Sequence, residues 1–208
     1  MQDSALPPSR TRSRLSLLLL LGIFAAPVIL AWVLFFLMPS LRPTNTTNHG
    51  DLVVPVRQMP TLSATVQNGE PISEAFFQKK WSFVYLLSGV CNEACIERLF
   101  IMRQVRLTQG KNIKRLKRVL FWEPSGTSAA ERKALAEKFP GLVIASPEAG
   151  QWPELEQHFS VDEQPMSQAQ RLYLVDPMGN LMMSYDPAHD PKGMIKDLRR
   201  LLKYSGSG

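Results

Sequence analysis

Residues 15–38, LSLLLLLGIFAAPVILAWVLFFLM, are 24 consecutive positions without a charged side chain. A helix rising about 1.5 Å per residue covers about 36 Å over that length, more than a hydrocarbon core of about 30 Å. Arg10, Arg12 and Arg14 precede the run and only Arg42 follows closely. Positive charge is retained on the cytoplasmic side, so residues 1–14 are expected in the cytoplasm and residues 39–208 beyond the membrane. Trp32 suits an interfacial anchor, and Pro27 is tolerable in a membrane helix. A cleaved signal peptide would have an apolar core of about 7–15 residues and a small-x-small cleavage site. This run is longer, and Phe35, Phe36, Leu37 and Met38 stand where that site would be. The sequence therefore predicts an uncleaved signal anchor over 15–38.

What remains is enough chain for one domain. The whole chain carries 24 basic and 18 acidic side chains. Three Arg and one Asp fall in residues 1–14, which leaves 21 basic and 17 acidic beyond the anchor, an excess of only +4. A mildly basic domain outside the cytoplasm has no use for nucleic acid, and that class of partner is excluded. Two cysteines cannot build a disulfide-rich scaffold or a four-cysteine zinc site.

Residues 39–60 are rich in Pro, Thr and Asn and read as a linker with short extended pieces. Residues 61–204 alternate between strand and helix patterns, and residues 205–208 form a frayed tail. Strands are expected at 62–66, 81–87, 119–122, 142–145, 172–175 and 181–185. Helices are expected at 72–78, 92–109, 128–139, 152–159 and 193–204. Ser128 followed by Glu131 is a capping box. From residue 81 the order is β-α-β-α-β-α-β-β-α, which predicts an α/β fold: a central mixed sheet flanked by helices.

Cys91 and Cys95 follow the dense apolar run Trp81–Leu87, where the next helix starts. A helix N-terminus offers free N–H groups and a positive dipole end, which stabilise a thiolate at Cys91. Four residues apart on one helical face, the two Cα atoms lie about 6 Å from each other, within disulfide range. Cys91 is then the exposed, attacking thiol and Cys95 the buried, resolving one. A purely structural bridge would close a five-residue loop, worth about 2 kcal/mol in the chain-entropy model. That gain is small for a domain with an adequate core. The pair is therefore expected to exchange electrons or bind a soft metal, with a static bridge as the rival.

These features resemble the thioredoxin superfamily, and within it the Sco/SenC group of membrane-anchored copper proteins of cytochrome c oxidase assembly. The resemblance is carried by the Asn68-Gly69 turn, the run Trp81–Leu87, the C-x-x-x-C pair Cys91/Cys95, and Tyr173-Leu174-Val175-Asp176-Pro177-Met178-Gly179. Thr46-Thr47-Asn48-His49-Gly50-Asp51-Leu52 further resembles a group of proteobacterial membrane proteins whose genes lie among cytochrome oxidase assembly genes. The resemblance implies a thioredoxin-like domain in the periplasm, held by one inner-membrane helix. It also implies respiratory oxidase subunits or other assembly factors as partners, and Cu(I) as a candidate ligand of Cys91 and Cys95.

Three departures qualify it. Ile96 stands where the copper-binding group has Pro, and Gln168 stands where it has a histidine ligand. No proline directly precedes the fourth helix-linked strand, where a thioredoxin has its cis-Pro. Met166 and His158 are the substitutes for the missing ligand. The expected chemistry is thiol–disulfide exchange through Cys91 and Cys95, with no cofactor required. The alternatives are a Cu(I) chaperone and a non-catalytic scaffold with a structural disulfide.

Other features have plainer readings. The methionines from Met166 to Met194 are core filling, since Met182 and Met183 face opposite sides of a strand. Arg98 to Trp122 hold eight basic residues and no acidic one, a solvated face or a docking surface for acidic lipid head groups or an acidic face of a partner. His49 is a linker residue within reach of a partner's metal, and His189 a surface loop residue.

Overall fold

The computed structural model describes residues 10–38, 47–73, 75–148, 150–161 and 170–205. The chain divides into two units at Thr47/Asn48. In the first, helix α1 (Arg10–Leu37) contains the apolar run, and none of its span Arg14–Leu37 is buried. Its mean hydropathy of 2.7 over an 18-residue window makes it long and apolar enough to cross a membrane.

The second unit is a seven-stranded mixed sheet with helices on both faces. Its strands are β1 (Asp51–Gln58), β2 (Ala64–Val66), β3 (Trp81–Leu87), β4 (Leu116–Trp122), β5 (Leu142–Pro147), β6 (Leu172–Val175) and β7 (Asn180–Tyr185), in the spatial order β1-β7-β6-β3-β4-β5-β2. β3, β4 and β5 run parallel, and the outer pairings are antiparallel. Every residue of β3 is buried, as required of a central strand covered on both sides. Phe83, Tyr85 and Leu87 face α2 (Glu93–Leu107) and α5 (Pro191–Tyr204). Val84 and Leu86 face α4 (Trp152–Phe159) through Trp152, Leu155 and Phe159.

The helices end where their sequences dictate. α3 (Ala129–Lys138) starts at Ser128, whose hydroxyl accepts from the Glu131 amide while the Glu131 carboxylate accepts from the Ser128 amide. α5 starts at Asp190, with Pro191 in its first turn. Its buried stripe of Met194, Leu198 and Leu202 recurs at four-residue spacing.

Three expectations need correction. Residues 51–58, within the stretch read as linker, form the edge strand β1. Pro55 cannot donate to a ladder, but an edge strand tolerates it where the register shifts between Leu52 and Arg57. Within the stretch 72–78 expected to be a helix, residues 75–77 form a turn instead, which brings Phe77 against Phe121 and Phe76 under the Lys117 ammonium, 3.7 Å from the ring centre. A segment this short holds as a helix only by packing an apolar face, and two adjacent aromatics do not share one. β4 begins three residues before Val119, at Leu116. Lys117 and Arg118 hide that start in the sequence, yet Arg118 is buried.

Candidate functional site

The site is built from the segment Ser88–Asn92, which leaves the end of β3 and enters α2. Asn92 is the N-cap: its Oδ1 accepts from the Cys95 amide at 3.1 Å. Cys91 and Cys95 form a disulfide with Cα atoms 5.2 Å apart. Cys95 is fully buried in the core that also holds Leu99 and Tyr85, whereas Cys91 is half-buried. Cys91 lies just outside the helix rather than in its first turn, and the two sulfurs meet because the cap bends the chain back over the helix start.

The neighbouring junction, from β4 into α3, grips this segment at three points. The Trp122 indole N–H donates to the Gly89 carbonyl at 2.7 Å. The Ser88 hydroxyl donates to the Glu123 carboxylate at 2.5 Å. Gly126 lies so close that a Cβ on it would sit 2.6 Å from the backbone of Gly89. Gly89 itself has φ +79°, a conformation only glycine adopts without strain. Beside Cys91 opens a shallow groove of about 260 Å³ walled by Val90, Ile96, Trp122 and Leu135, with Glu131 and Lys138 at its border. A nucleophile approaching along this groove reaches the Cys91 sulfur before that of Cys95.

Sequence reasoning missed Asn92, Trp122, Glu123 and Gly126 as parts of the site. Asn92 had a signal: it is a capping residue type directly ahead of a helix. The other three act across 33 to 37 positions of chain and leave no local signature.

The structure separates the remaining candidate ligands. His158 lies on α4, across the sheet from Cys95. It borders a different cleft of about 490 Å³ with Arg57 and Glu154. Burial, and then the Arg57 cation, hold its imidazole below the usual histidine range. Met166 and Gln168 lie outside the described residues. Among the described residues no three His, Cys, Asp or Glu side chains gather as a metal site. Cu(I) needs both sulfurs as free thiolates, so the bonded pair could hold it only once reduced.

His49 is not a linker residue. Its amide and the Gly50 amide both donate to Asp197 Oδ2, at 2.9 and 3.0 Å. Its ring Nδ1 lies 3.0 Å from Asp197 Oδ1, and the Tyr185 hydroxyl donates to Oδ2 at 3.3 Å. Burial and the Asp197 carboxylate push the Tyr185 hydroxyl well above its usual range. A buried carboxylate on α5 thus clasps the start of the domain. The basic stretch is likewise no uniform surface. Arg98 and Arg118 are buried, and Arg106 and Arg115 bind backbone carbonyls. Arg103, Lys111 and Lys114 remain exposed.

A family model for a "transmembrane-like, thioredoxin-like, C-terminal domain" matches residues 81–205, and the chain belongs to that family. Sco proteins share the fold. Copper-bound ScoI of Bradyrhizobium japonicum is 19% identical with a TM-score of 0.57, the match covering 69% of this chain and 99% of that one. BsSco, described as a Sco-family cytochrome c oxidase assembly protein with a disulfide switch, is 14% identical with a TM-score of 0.56, over 71% and 95%. The thioredoxin domain of a thiol–disulfide oxidoreductase from Bacteroides vulgatus is 12% identical with a TM-score of 0.53, over 70% and 96%. No curated protein matches the chain by sequence.

Proposed function

We propose that this protein is a membrane-anchored thiol–disulfide exchange factor of the bacterial inner membrane, with its domain in the periplasm and its clients among the proteins of cytochrome c oxidase assembly. The observation that carries the reading is the Cys91–Cys95 bridge at the capped start of α2, one sulfur half-buried beside a groove and the other in the core. Reduced, Cys91 attacks a client disulfide and forms a mixed disulfide; Cys95 then attacks the Cys91 sulfur, and the client leaves with two thiols. The partner class is supported by likeness to Sco-family structures, one of them described as a cytochrome c oxidase assembly protein. The orientation rests on the arginines ahead of α1.

A second reading, Cu(I) carriage by Cys91 and Cys95 with Met166 or His158, has the copper-bound relatives in its favour. His158 on the opposite face argues against it. A third, the static scaffold, keeps the bridge permanently closed.

One experiment separates the three. The full-length protein in detergent is equilibrated in glutathione buffers, and its reduced form is titrated with Cu(I) against a calibrated chelator. The exchange reading expects a potential between about −270 and −120 mV and no retention of copper. Tight one-to-one copper binding that is lost in Cys91→Ser establishes the chaperone. A potential below about −300 mV without copper binding establishes the scaffold.

A further inference from the structure

Three buried or half-buried arginines of this domain differ in how well they are satisfied. Arg115 donates to the Leu202 and Ser205 carbonyls at 2.7 and 2.6 Å, tying down the end of α5. Arg118 donates to the Pro140 carbonyl at 2.6 Å, just beyond α3. Arg98, 6% exposed, has no contact that short. Its Nη1 reaches the Pro187 carbonyl only at 3.4 Å, and its Nε has no hydrogen-bond partner; Arg118 likewise leaves Nε and Nη1 unpaired but has its one short bond. Among the described residues the sole carboxylate paired with it, Glu97 at 3.8 Å, has a side chain 65% exposed. A buried guanidinium held this loosely is unfavourable, and packing alone does not explain it.

Its position gives it a use. Arg98 lies three residues after Cys95, and both belong to the buried face of α2. Side chains at that spacing have Cβ atoms about 5–6 Å apart. The Arg98 charge is felt in the same core: Tyr85, which belongs with Cys95 to the cluster on this face of the sheet, is raised to about 12 by burial, against an opposing pull from Arg98.

We infer that Arg98 is an electrostatic positioning residue for the cysteine pair: its buried cation stabilises negative charge on the Cys95 sulfur and favours the reduced state. This rests on the exchange reading above. When glutathione thiolate attacks the Cys91 sulfur, the Cys91–Cys95 bond breaks and its electron pair leaves on the Cys95 sulfur. A second glutathione thiolate attacks the mixed disulfide, frees the Cys91 sulfur and leaves as oxidised glutathione. Two electrons have passed to the protein. The first departing charge forms one helical turn from Arg98, in a core where a cation is screened far less than in water.

The test compares full-length wild type, Arg98→Met and Arg98→Lys in glutathione and dithiothreitol buffers, with thermal unfolding measured alongside. Arg98→Met is expected to lower the equilibrium constant for reduction about tenfold, equivalent to about 30 mV. Its thermal stability is expected to hold or rise, because an uncompensated buried charge has gone. Arg98→Lys keeps the charge and is expected to stay within threefold of wild type. Equal constants for wild type and Arg98→Met overturn the inference, as does an equal fall in Met and Lys variants. The exchange reading fails separately, if wild type itself proves reducible only by dithiothreitol; the Arg98 shift is still read in that buffer.

Discussion

Two strand-to-helix junctions lie side by side at one end of this sheet, and they are closed in different ways. At the β4–α3 junction the Ser128 hydroxyl and the Glu131 carboxylate satisfy each other's amides, so a negative charge already occupies the positive end of α3. At the β3–α2 junction the cap is the neutral amide of Asn92. Among the described residues no carboxylate oxygen bonds the first-turn amides of α2. The first turn of α2 carries the Glu93 side chain without an amide hydrogen bond to it, and the segment that bears the disulfide is held in place by the neighbouring junction. Trp122, Glu123 and Gly126 all belong to the β4–α3 side, and each lies against the segment that leads to Cys91.

Breaking the close approach between the two junctions has the largest expected effect. Gly126→Ala places a methyl 2.6 Å from the Gly89 backbone, which has no side chain to move aside. Overpacking of this kind costs about 2–3 kcal/mol, and urea unfolding of the full-length protein is expected to show that loss. Removing the α2 cap is next. Asn92→Ala is expected to lower stability by about 1 kcal/mol and to slow attack by Cys91, read as the rate of reaction with oxidised glutathione. Ser128→Ala is expected to cost a similar amount of stability and leave that rate unchanged; a matching fall in rate would erase the distinction between the junctions.

Similar in size is Trp122→Phe, which removes the hydrogen bond to Gly89 and leaves a void where the larger buried indole stood. About 1–2 kcal/mol is expected, seen as a lower urea midpoint. The smallest effect is a pH dependence. Bonds from the Ser128 amide and hydroxyl hold the Glu131 carboxyl below its usual range. A carboxyl with a depressed folded-state pKa adds stability that is complete above its unfolded value, about 4.3. That stability is lost as pH falls through the lower, folded value. Wild type and Glu131→Gln are thus expected to differ most at neutral pH and to converge in acid, as measured by urea midpoints across pH 2 to 7.

The parts of the fold legible in the sequence are those specified locally. β3 is readable from an unbroken apolar run, α3 from its capping box, and α4 from residues 152–159 directly. β1 was hidden by Pro55, because its strand character depends on a place at the sheet edge. The start of β4 was hidden by Lys117 and Arg118, whose burial depends on Phe76 and on the Pro140 carbonyl. The cysteines announced themselves by spacing and position. Their support did not, since Trp122–Gly89 and Ser88–Glu123 join residues far apart in the chain. The placement of His49 on Asp197 spans 148 positions and belongs to the same class. His158 was legible as a histidine, but its side of the sheet follows from the crossover that carries α4.

The exchange mechanism proposed above makes Cys91 the attacking sulfur of the pair. The direct measurement incubates full-length Cys95→Ser and Cys91→Ser proteins, reduced and in detergent, with oxidised glutathione, and follows mixed-disulfide formation by mass. Rapid modification of Cys91 is expected in the first protein and little of Cys95 in the second, because the core covers Cys95. Equal rates at both sulfurs, or no modification of Cys91, would contradict it.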